Sequence, residues 1–398
     1  MVNSPASDNT TTANHWDIFC VVVDNYGDIG VTWRLAKQLV DEYQITVNLW
    51  VDDLHSFSHI LPQLNPYNVR QYFFGVNIIQ WNKDSIIDFT PGEVLVEAFA
   101  CELPSSIINQ LVTLKQTNPS QVPLWINLEY LSAEDWVEGC HALPSLQATG
   151  LKKYFYFPGF TPKTGGLICE ANLLQQRDSW QHNPQHKLAL FAQLGINHIK
   201  AEDYVMSLFS YETDSIGVLI DYFVQKTKTS HILVPQGKSL ASIAKHLSCS
   251  VEELIKQRHF QLNNVHIHVL PMTDQHGYDR LLWSCDFNIV RGEDSFLRAQ
   301  WAGKPFIWHI YPQEDDYHLI KLRAFMKIYC DNLAPEIANE WAELNLAFNQ
   351  DDLTKVAEHW QSIDFQYLPL LKHAKKWPID ALNGADLASR LVRFVKNS

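Results

Sequence analysis

Two acidic turns, each between a strand-like run and a helical pattern, constrain this chain most. Residues 24–30 read DNYGDIG, and residues 291–296 read RGEDSF. In open α/β sheets, ligands bind in the crevice outside the strand C-termini, where the N–H groups of the following helix face anions. One such turn in each half of the chain predicts a ligand cleft between two domains.

Composition limits the class of protein. The chain has 398 residues, of which 46% are hydrophobic and 19% charged, enough for two buried cores. A net charge of -13 without any Lys/Arg run disfavours a general nucleic-acid binder. The seven cysteines lack metal-site spacing and indicate reduced thiols. Neither a signal peptide nor an apolar run near the roughly 20 residues of a membrane span is present, so we expect a cytoplasmic protein without membrane contact.

The order of the patterns predicts a doubly wound α/β fold. Residues 1–15 are polar and predict a disordered tail, residues 175–202 are His/Gln-rich and predict the interdomain region, and the chain after Asp316 is mostly helical. Strand-like runs lie at 18–23, 45–51, 94–99, 124–128 and 154–157 in the first half, and at 204–209, 232–234, 265–270, 287–290 and 306–310 in the second.

The first acidic turn has a functional and a structural interpretation. Asp24 and Asp28 lie four residues apart at a strand end, where one carboxylate could act as a base and the other orient a cationic substrate. Asp and Asn before a helix are also ordinary caps, and Gly27 and Gly30 ordinary turn formers. The turn lacks the GxGxxG fingerprint, which disfavours a dinucleotide cofactor.

The second acidic turn leaves an apolar strand and opens a helix. The helix N-terminus and the Ser295 hydroxyl could hold a diphosphate, with Arg291 nearby as a cation. The carboxylates of Glu293 and Asp294 would repel the phosphates. The repulsion is avoided if Glu293 turns towards a ribose or sugar hydroxyl while the phosphates bind backbone N–H groups. The structural alternative is N-capping by Asp294 or Ser295.

Three weaker patterns are more typical of structure than of chemistry. The sequence Gly-Lys-Ser at 237–239 resembles the end of a Walker A loop but lacks its leading glycine. Tyr317 and Lys321 match a dehydrogenase spacing without a Gly-rich cofactor loop. His266 and His268 alternate with apolar residues, which indicates a solvated strand face rather than a metal site.

Several long segments resemble the EarP family of protein-arginine rhamnosyltransferases, which modify bacterial translation elongation factor P. The similar segments are residues 24–35, 128–134, 163–168 and 291–296 through 308–313. The resemblance runs from about Trp16 to the C-terminus, and the blocks lie in the order that the family has. The polar N-terminal extension and several loops of the second half depart from it.

This resemblance implies a GT-B glycosyltransferase with two Rossmann-like domains facing a cleft. Residues 16–185 would receive the acceptor protein, residues 186–375 would hold the nucleotide sugar, and a helix in 376–398 would cross back to the first domain. The implied donor is dTDP-β-L-rhamnose, and the acceptor is an arginine at a loop tip of elongation factor P, modified with inversion to support ribosomes stalled at polyproline. No metal or cofactor is implied, because the helix N-terminus and basic side chains neutralise the leaving diphosphate.

The resemblance also implies roles for the acidic residues. Arginine is a poor nucleophile because its guanidinium is delocalised and protonated. Asp28 would therefore act as general base, with Asp24 orienting the guanidinium and Glu293 required for turnover near the ribose or rhamnose. A single in-line displacement places the base and the leaving diphosphate on opposite sides of the sugar.

The donor site implied by the resemblance lies mostly in the second half. Gln275 and Tyr278 would border the thymidine, and Met272 stands where the family can carry a stacking Phe. Aromatic residues such as Phe209 and Tyr211 at a strand end are usually core or rim residues. The alternative is that they stack on a nucleobase. The full implied set is Phe209, Tyr211, Gln275, Tyr278, Arg291, Glu293, Asp294, Ser295 and Tyr311, of which Tyr211, Arg291, Asp294, Ser295 and Tyr311 would lie near the diphosphate.

Two other functions fit the same fold. A glycosyltransferase or epimerase-like enzyme with another nucleotide sugar and a small-molecule acceptor would keep the phosphate site. A non-catalytic nucleotide-sugar-binding protein would keep the strands without turnover. The presence of Asp24, Asp28 and Glu293 together argues against the non-catalytic alternative.

Overall fold

The computed structural model describes residues 15–23, 26–82, 89–197 and 199–398. Its first half consists of β1 (His15–Cys20), α1 (Gly27–Tyr43), β2 (Thr46–Val51), α2 (Leu54–Ser58), β3 (Arg70–Phe73), β4 (Val76–Gln80), β5 (Val94–Ala98), α3 (Ser105–Thr117), β6 (Leu124–Leu128), α4 (Val137–Cys140), β7 (Leu143–Leu146) and β8 (Lys152–Tyr156). Two helices follow, α5 (Leu173–His182) and α6 (Pro184–Gln193).

The second half repeats the alternation and then becomes helical. It comprises β9 (Tyr204–Leu208), α7 (Ser215–Val224), β10 (Ser230–Pro235), α8 (Ser239–Leu247), α9 (Val251–Gln257), β11 (His259–Leu262), β12 (Val265–Leu270), α10 (Gln275–Ser284), β13 (Phe287–Arg291), α11 (Asp294–Trp301) and β14 (Phe306–His309). The last helices are α12 (Tyr317–Cys330), α13 (Pro335–Asn349), α14 (Leu353–Phe365), α15 (Tyr367–Leu382) and α16 (Leu387–Lys396), and short 3-10 turns lie at Pro119–Gln121 and Glu314–Asp316.

The strands form two separate sheets. The first has the order β3-β4-β2-β1-β5-β6-β8-β7, and the second β11-β12-β10-β9-β13-β14. Pairing is parallel except at the antiparallel pairs β3–β4, β7–β8 and β11–β12. The central strands are buried, which explains their continuous apolar runs: in β1, Ile18 lies opposite Leu49 on one side and Val96 on the other.

The strand order fixes where a ligand can bind. The chain winds from β1 to β2 in one direction and to β5 in the other, so the first sheet reverses at the C-terminal end of β1. The second sheet reverses in the same way between β9 and β13. Such switch points open a crevice at the strand ends. Both acidic turns follow these switch-point strands, so the α/β architecture places them where the sequence predicted.

The boundary regions differ from their predicted character. Residues 1–14 lie outside the described residues, and His15, predicted to belong to the tail, begins β1. The predicted interdomain region contains α5 and α6, which are helical despite their polar composition; the Asn183 side chain accepts from the Gln185 N–H and caps α6. Residue 376 lies within α15, so the segment 376–398 holds the end of one helix and all of α16.

The last helix packs against the first half of the chain. The backbone N–H of Leu387 donates to Leu167 at 2.8 Å, and the Gln38 side chain donates to Asp386 at 3.1 Å. The Phe394 ring lies 5.6 Å from the Tyr156 ring of β8. These contacts join the C-terminus to α1 and to the first sheet.

Within the described part of the chain, every helix is too short or too polar to cross a membrane.

Candidate active site

Two adjoining cavities lie between the halves. The first cavity is lined by Tyr26, Gly27, Gly30, Arg34, Ile60, Phe209, Pro235, Met272, Thr273, Asp274, Gln275, Tyr278, Arg291, Gly292, Glu293, Asp294 and Ser295. The second cavity is lined by Val23, Gly27, Asp28, Phe99, Tyr130, Leu131, Gly292, Glu293, Phe296, Trp308, Ile310, Tyr311, Gln313 and Lys321. Gly27, Gly292 and Glu293 line both, so the cavities meet between the two acidic turns.

Asp28 is held at the wall of the second cavity. The residue is 3% exposed, in the first turn of α1. Its Oδ2 accepts from the Val23 N–H at 2.9 Å, and its Oδ1 accepts from the Tyr130 hydroxyl at 3.0 Å. The N-cap residue of α1, Tyr26, makes no side-chain capping hydrogen bond, and the Val23 contact ties Asp28 to the preceding loop. Asp24 lies outside the described residues, and its role stays a prediction.

Tyr130 holds Asp28 from the first sheet. It follows β6, and its ring stacks on Phe99 with 4.5 Å between centroids. Burial and the negative charge of Asp28 raise the pKa of Tyr130 well above its usual value, so the hydroxyl stays protonated and donates. The Phe99 backbone is left-handed, with φ of 56°, as the chain turns sharply after β5.

Glu293 stands where the two cavities meet. Burial of its carboxyl group and the nearby charge of Asp28 raise its pKa to about 8, against the lowering effects of the Leu131 N–H and Lys321. A carboxyl group with this pKa is largely protonated at neutral pH. An arriving cation such as a guanidinium would favour its ionised form.

The second acidic turn is braced by Ser295. Its Oγ accepts from the Arg291 N–H at 3.1 Å and donates to the Arg291 carbonyl oxygen. Gly292 between them has φ of 62°, a conformation that glycine adopts without strain. No side-chain hydrogen bond caps α11, so N-capping by Asp294 or Ser295 does not explain this turn. Gly292, Asp294 and Ser295 all line the first cavity, so the start of α11 borders it.

Aromatic rings surround the cation of this turn. The Arg291 guanidinium carbon lies 4.8 Å from the Phe209 ring centroid and 4.7 Å from that of Tyr211. The Tyr211 ring lies edge-on to Tyr311, at 5.5 Å. Arg291 is 5% exposed, so this buried positive charge belongs to the wall of the first cavity.

Gln275 and Tyr278, at the start of α10, lie on the same wall but differ in their contacts. The Gln275 side chain donates to the Gly30 carbonyl at 2.8 Å and accepts from Lys37 Nζ at 3.2 Å, so it contacts α1. The Tyr278 ring lies edge-on to Phe209 at 5.9 Å. Met272 also lines this cavity.

Asp294 contacts the other half of the molecule. Its Oδ1 accepts from Arg34 Nε at 2.7 Å. Arg34 also contacts Asp279 at 3.1 Å and Glu170 at 3.4 Å, and Arg298 binds the same two carboxylates. The Asp294 side chain, expected near a diphosphate, is thus engaged in an ion pair with Arg34 of α1, and Asp294 also lines the first cavity.

A protein-family model identifies the family of this chain. The family model described as "Elongation-Factor P (EF-P) rhamnosyltransferase EarP" matches residues 16–396, almost the whole described chain. The chain belongs to the EarP family. The predictions of this family, of its GT-B fold and of a glycosyltransferase enzyme are thereby confirmed.

Relatives of the EarP family match over the full length of the chain. A protein-arginine rhamnosyltransferase of Shewanella oneidensis is 62% identical, covering 98% of this chain and 99% of that protein. One of Pseudomonas aeruginosa is 43% identical, covering 95% and 98%. A solved structure from work on EarP-mediated arginine glycosylation of elongation factor EF-P has a TM-score of 0.66 at 31% identity, covering 96% of this chain and 99% of that one.

The structure brings the described residues of the predicted site together. Phe209, Gln275, Tyr278, Arg291, Glu293, Asp294 and Ser295 line the first cavity, Asp28, Glu293 and Tyr311 line the second, and Tyr211 contacts Arg291 and Tyr311. Sequence reasoning gave no role to Arg34, Tyr130 or Lys321. Arg34 and Tyr130 lie within the segments that carry the family resemblance, which was the available signal.

Of the weaker patterns in this EarP-family chain, one supplies Lys321 to the second cavity, and the other two lie on a strand and at a helix start. His268 is buried, which corrects the predicted solvated face, and its Nε2 lies 3.0 Å from Nδ1 of His231. Ser239 begins α8, and Lys238 Nζ lies 5.6 Å from the Tyr211 ring. Among the described residues, no group of three or more His, Cys, Asp or Glu could hold a metal ion.

Proposed function

We propose that this chain transfers rhamnose from dTDP-β-L-rhamnose to an arginine side chain of elongation factor P in the cytoplasm, with inversion at C1. The observation that carries the proposal is the meeting of two cavities at Glu293, with Asp28 in the wall of the second. The donor would occupy the first cavity and the acceptor arginine the second. Family membership supports the sugar and the acceptor.

The first cavity has the chemistry that a nucleoside diphosphate sugar needs. The N-terminus of α11 and the buried Arg291 offer donors and positive charge to a diphosphate. Aromatic Phe209 and Tyr278 provide apolar surface for the base and sugar. As the C1–oxygen bond breaks, the electron pair passes to the diphosphate oxygen, which these groups stabilise.

The second cavity has the chemistry that an arginine acceptor needs. Asp28 attracts the guanidinium, whose positive charge favours the ionised form of Glu293, and the stacked rings of Phe99 and Tyr130 provide an aromatic wall. As a guanidinium nitrogen bonds to C1, its proton passes to the Asp28 carboxylate. The hydrogen bonds from the Val23 N–H and the Tyr130 hydroxyl hold the Asp28 carboxylate in place for this transfer.

Intact-mass spectrometry tests the proposal. We expect a single deoxyhexose mass gain on elongation factor P incubated with this protein and dTDP-L-rhamnose, and no gain on a factor whose acceptor arginine is replaced by lysine. Addition of a chelator should leave the rate unchanged, because no metal is expected. Donor consumption without modified factor would indicate another acceptor, and no reaction of the folded protein would contradict the proposal.

A further inference from the structure

Arg34 connects the two acidic turns through the core of the molecule. It lies in α1, six residues after Asp28, and is 1% exposed. Its Nε lies 2.7 Å from Asp294 Oδ1, and its Nη1 and Nη2 lie 3.1 and 3.2 Å from the two Asp279 oxygens. One side chain of the first half is thus bound to both α10 and α11 of the second half.

The partners of Arg34 are themselves rigidly held. Arg298 of α11 binds both Asp279 oxygens, at 2.8 and 2.6 Å, and Glu170 at 2.7 Å. Asp279 is therefore fixed within the second half whether or not Arg34 is present. Arg34 is the residue of this network that belongs to α1, so it joins α1 to Asp279 and Asp294.

Two further contacts seat α1 on the same surface. Gln275 donates to the Gly30 carbonyl at 2.8 Å and accepts from Lys37 at 3.2 Å. A Cβ atom at Gly30 would lie 3.2 Å from the Asp294 side chain, so glycine permits the close approach of α1 and α11. These contacts and Arg34 form an interdomain clamp over one face of α1.

We propose that Arg34 is a positioning residue for transfer, which sets the distance between Asp28 and the anomeric carbon of a donor held by α11. Asp28 and Arg34 share one helix, and Asp294 and the first N–H groups of α11 share another. A misplacement of about 1 Å in reacting groups can cost about 100-fold in rate. The inference rests on the proposed function, since it assigns the donor to the first cavity.

Stability alone is a weak reason for this network. Buried ion pairs often contribute little net stability relative to apolar replacements, because desolvation offsets the Coulomb attraction. A bidentate arginine does fix orientation, which the point charge of lysine does not. Arg34→Lys therefore keeps the charge and removes the fixed geometry.

The test compares Arg34→Lys with Arg177→Lys. Arg177 is also buried and also reaches α11, but at its far end, where Nη1 donates to the Trp301 carbonyl at 3.0 Å. Transfer to elongation factor P gives kcat and KM, and calorimetric titration with dTDP gives donor-site affinity. We expect kcat of Arg34→Lys to fall about 10-fold to 100-fold, with a much smaller change in dTDP affinity, and kcat of Arg177→Lys to stay near wild type.

Distinct outcomes would overturn the inference. Wild-type kcat in folded Arg34→Lys, or an equal fall in both variants, would reduce Arg34 to a structural role. If Arg34→Lys does not fold, Lys37→Met removes the half-buried clamp contact to Gln275, and an unchanged kcat in it would contradict the clamp. Absence of transfer by the wild type would contradict the proposed function itself and remove the basis for the inference.

Discussion

At the scale of single residues, the proposed chemistry depends on how Asp28 is held. Its two oxygens accept from a backbone N–H and from the Tyr130 hydroxyl, which leaves the carboxylate one orientation at the cavity wall. The Tyr130 ring is fixed in turn by its stack on Phe99. A proton acceptor held in this way loses little freedom when the acceptor arginine arrives.

Tyr130→Phe tests this arrangement. The substitution keeps the ring stack and removes one hydrogen bond to a charged group, which contributes about 1.5–3 kcal/mol. We expect kcat for transfer to fall about 10-fold to 100-fold, with dTDP affinity unchanged by titration calorimetry. Tyr72→Phe, at an exposed position of β3, is the matched control. Equal rates in both variants would show that Tyr130 does not position the base.

Glu293 predicts a pH dependence of stability. Its folded pKa of about 8 lies above the ordinary 4.5, so the folded state binds this proton more tightly than the unfolded state. The stability it contributes is present in acid and is lost as pH rises through 8. We expect the unfolding free energy of wild type, relative to Glu293→Gln, to fall by up to about 1.4 kcal/mol per pH unit between pH 5 and 8. If denaturant titrations give unfolding free energies of wild type and Glu293→Gln that change with pH in the same way, the raised pKa of Glu293 is contradicted.

At the scale of elements, the N-terminal turn of α11 is the diphosphate side of the proposed donor site. Ser295 bonds both backbone polar groups of Arg291, across the left-handed Gly292. These bonds determine where the first N–H groups of the helix point. We therefore expect the proposed donor site to depend on the Ser295 hydroxyl group, even without a contact between this group and the donor.

Ser295→Ala tests the turn. It leaves the buried Arg291 N–H without this acceptor, at a cost of about 1–3 kcal/mol. We expect dTDP binding to weaken about 10-fold in calorimetric titrations. Ser250→Ala is the control, because Ser250 caps α9 by accepting from the Glu253 N–H at 3.1 Å, outside the residues that line the two cavities. Unchanged dTDP affinity in Ser295→Ala would exclude the turn from donor binding.

Elements with strong local patterns were predictable from the sequence. The buried strands β1, β6 and β12 and the helix α1 follow continuous apolar runs or helical spacing. The edge hairpin of β3 and β4 was not predicted, because β3 is half exposed and mixes polar with apolar residues. Helices α5 and α6 were missed because their polar composition resembles that of a linker.

The site was predictable only in part, because some of its contacts join residues that are far apart in the sequence. The acidic turns are local motifs, and the family resemblance supplied the donor-site residues. Arg34 and Asp294 are 260 positions apart in sequence, and Tyr130 and Asp28 are 102 apart. No local pattern encodes such pairs, so they became visible only in the folded chain.

At the scale of the whole molecule, the C-terminal helix joins the end of the chain to the first half. Leu391 of α16 is fully buried. Leu391→Ala should lower the free energy of unfolding by about 2–5 kcal/mol, because it leaves a cavity beneath the helix. Lys396→Ala, at an exposed position of the same helix, should change it by less than about 0.5 kcal/mol. Equal denaturation midpoints would show that α16 does not stabilise the fold.

The most direct test of the account is the single-turnover rate of Asp28→Asn, followed by intact-mass spectrometry of elongation factor P. The amide has nearly the same shape but cannot take the proton that nitrogen loses. We expect transfer to fall by about 100-fold to 10,000-fold, with dTDP affinity near wild type. A near-wild-type rate would remove Asp28 from the mechanism, and with it the assignment of the second cavity to the acceptor arginine.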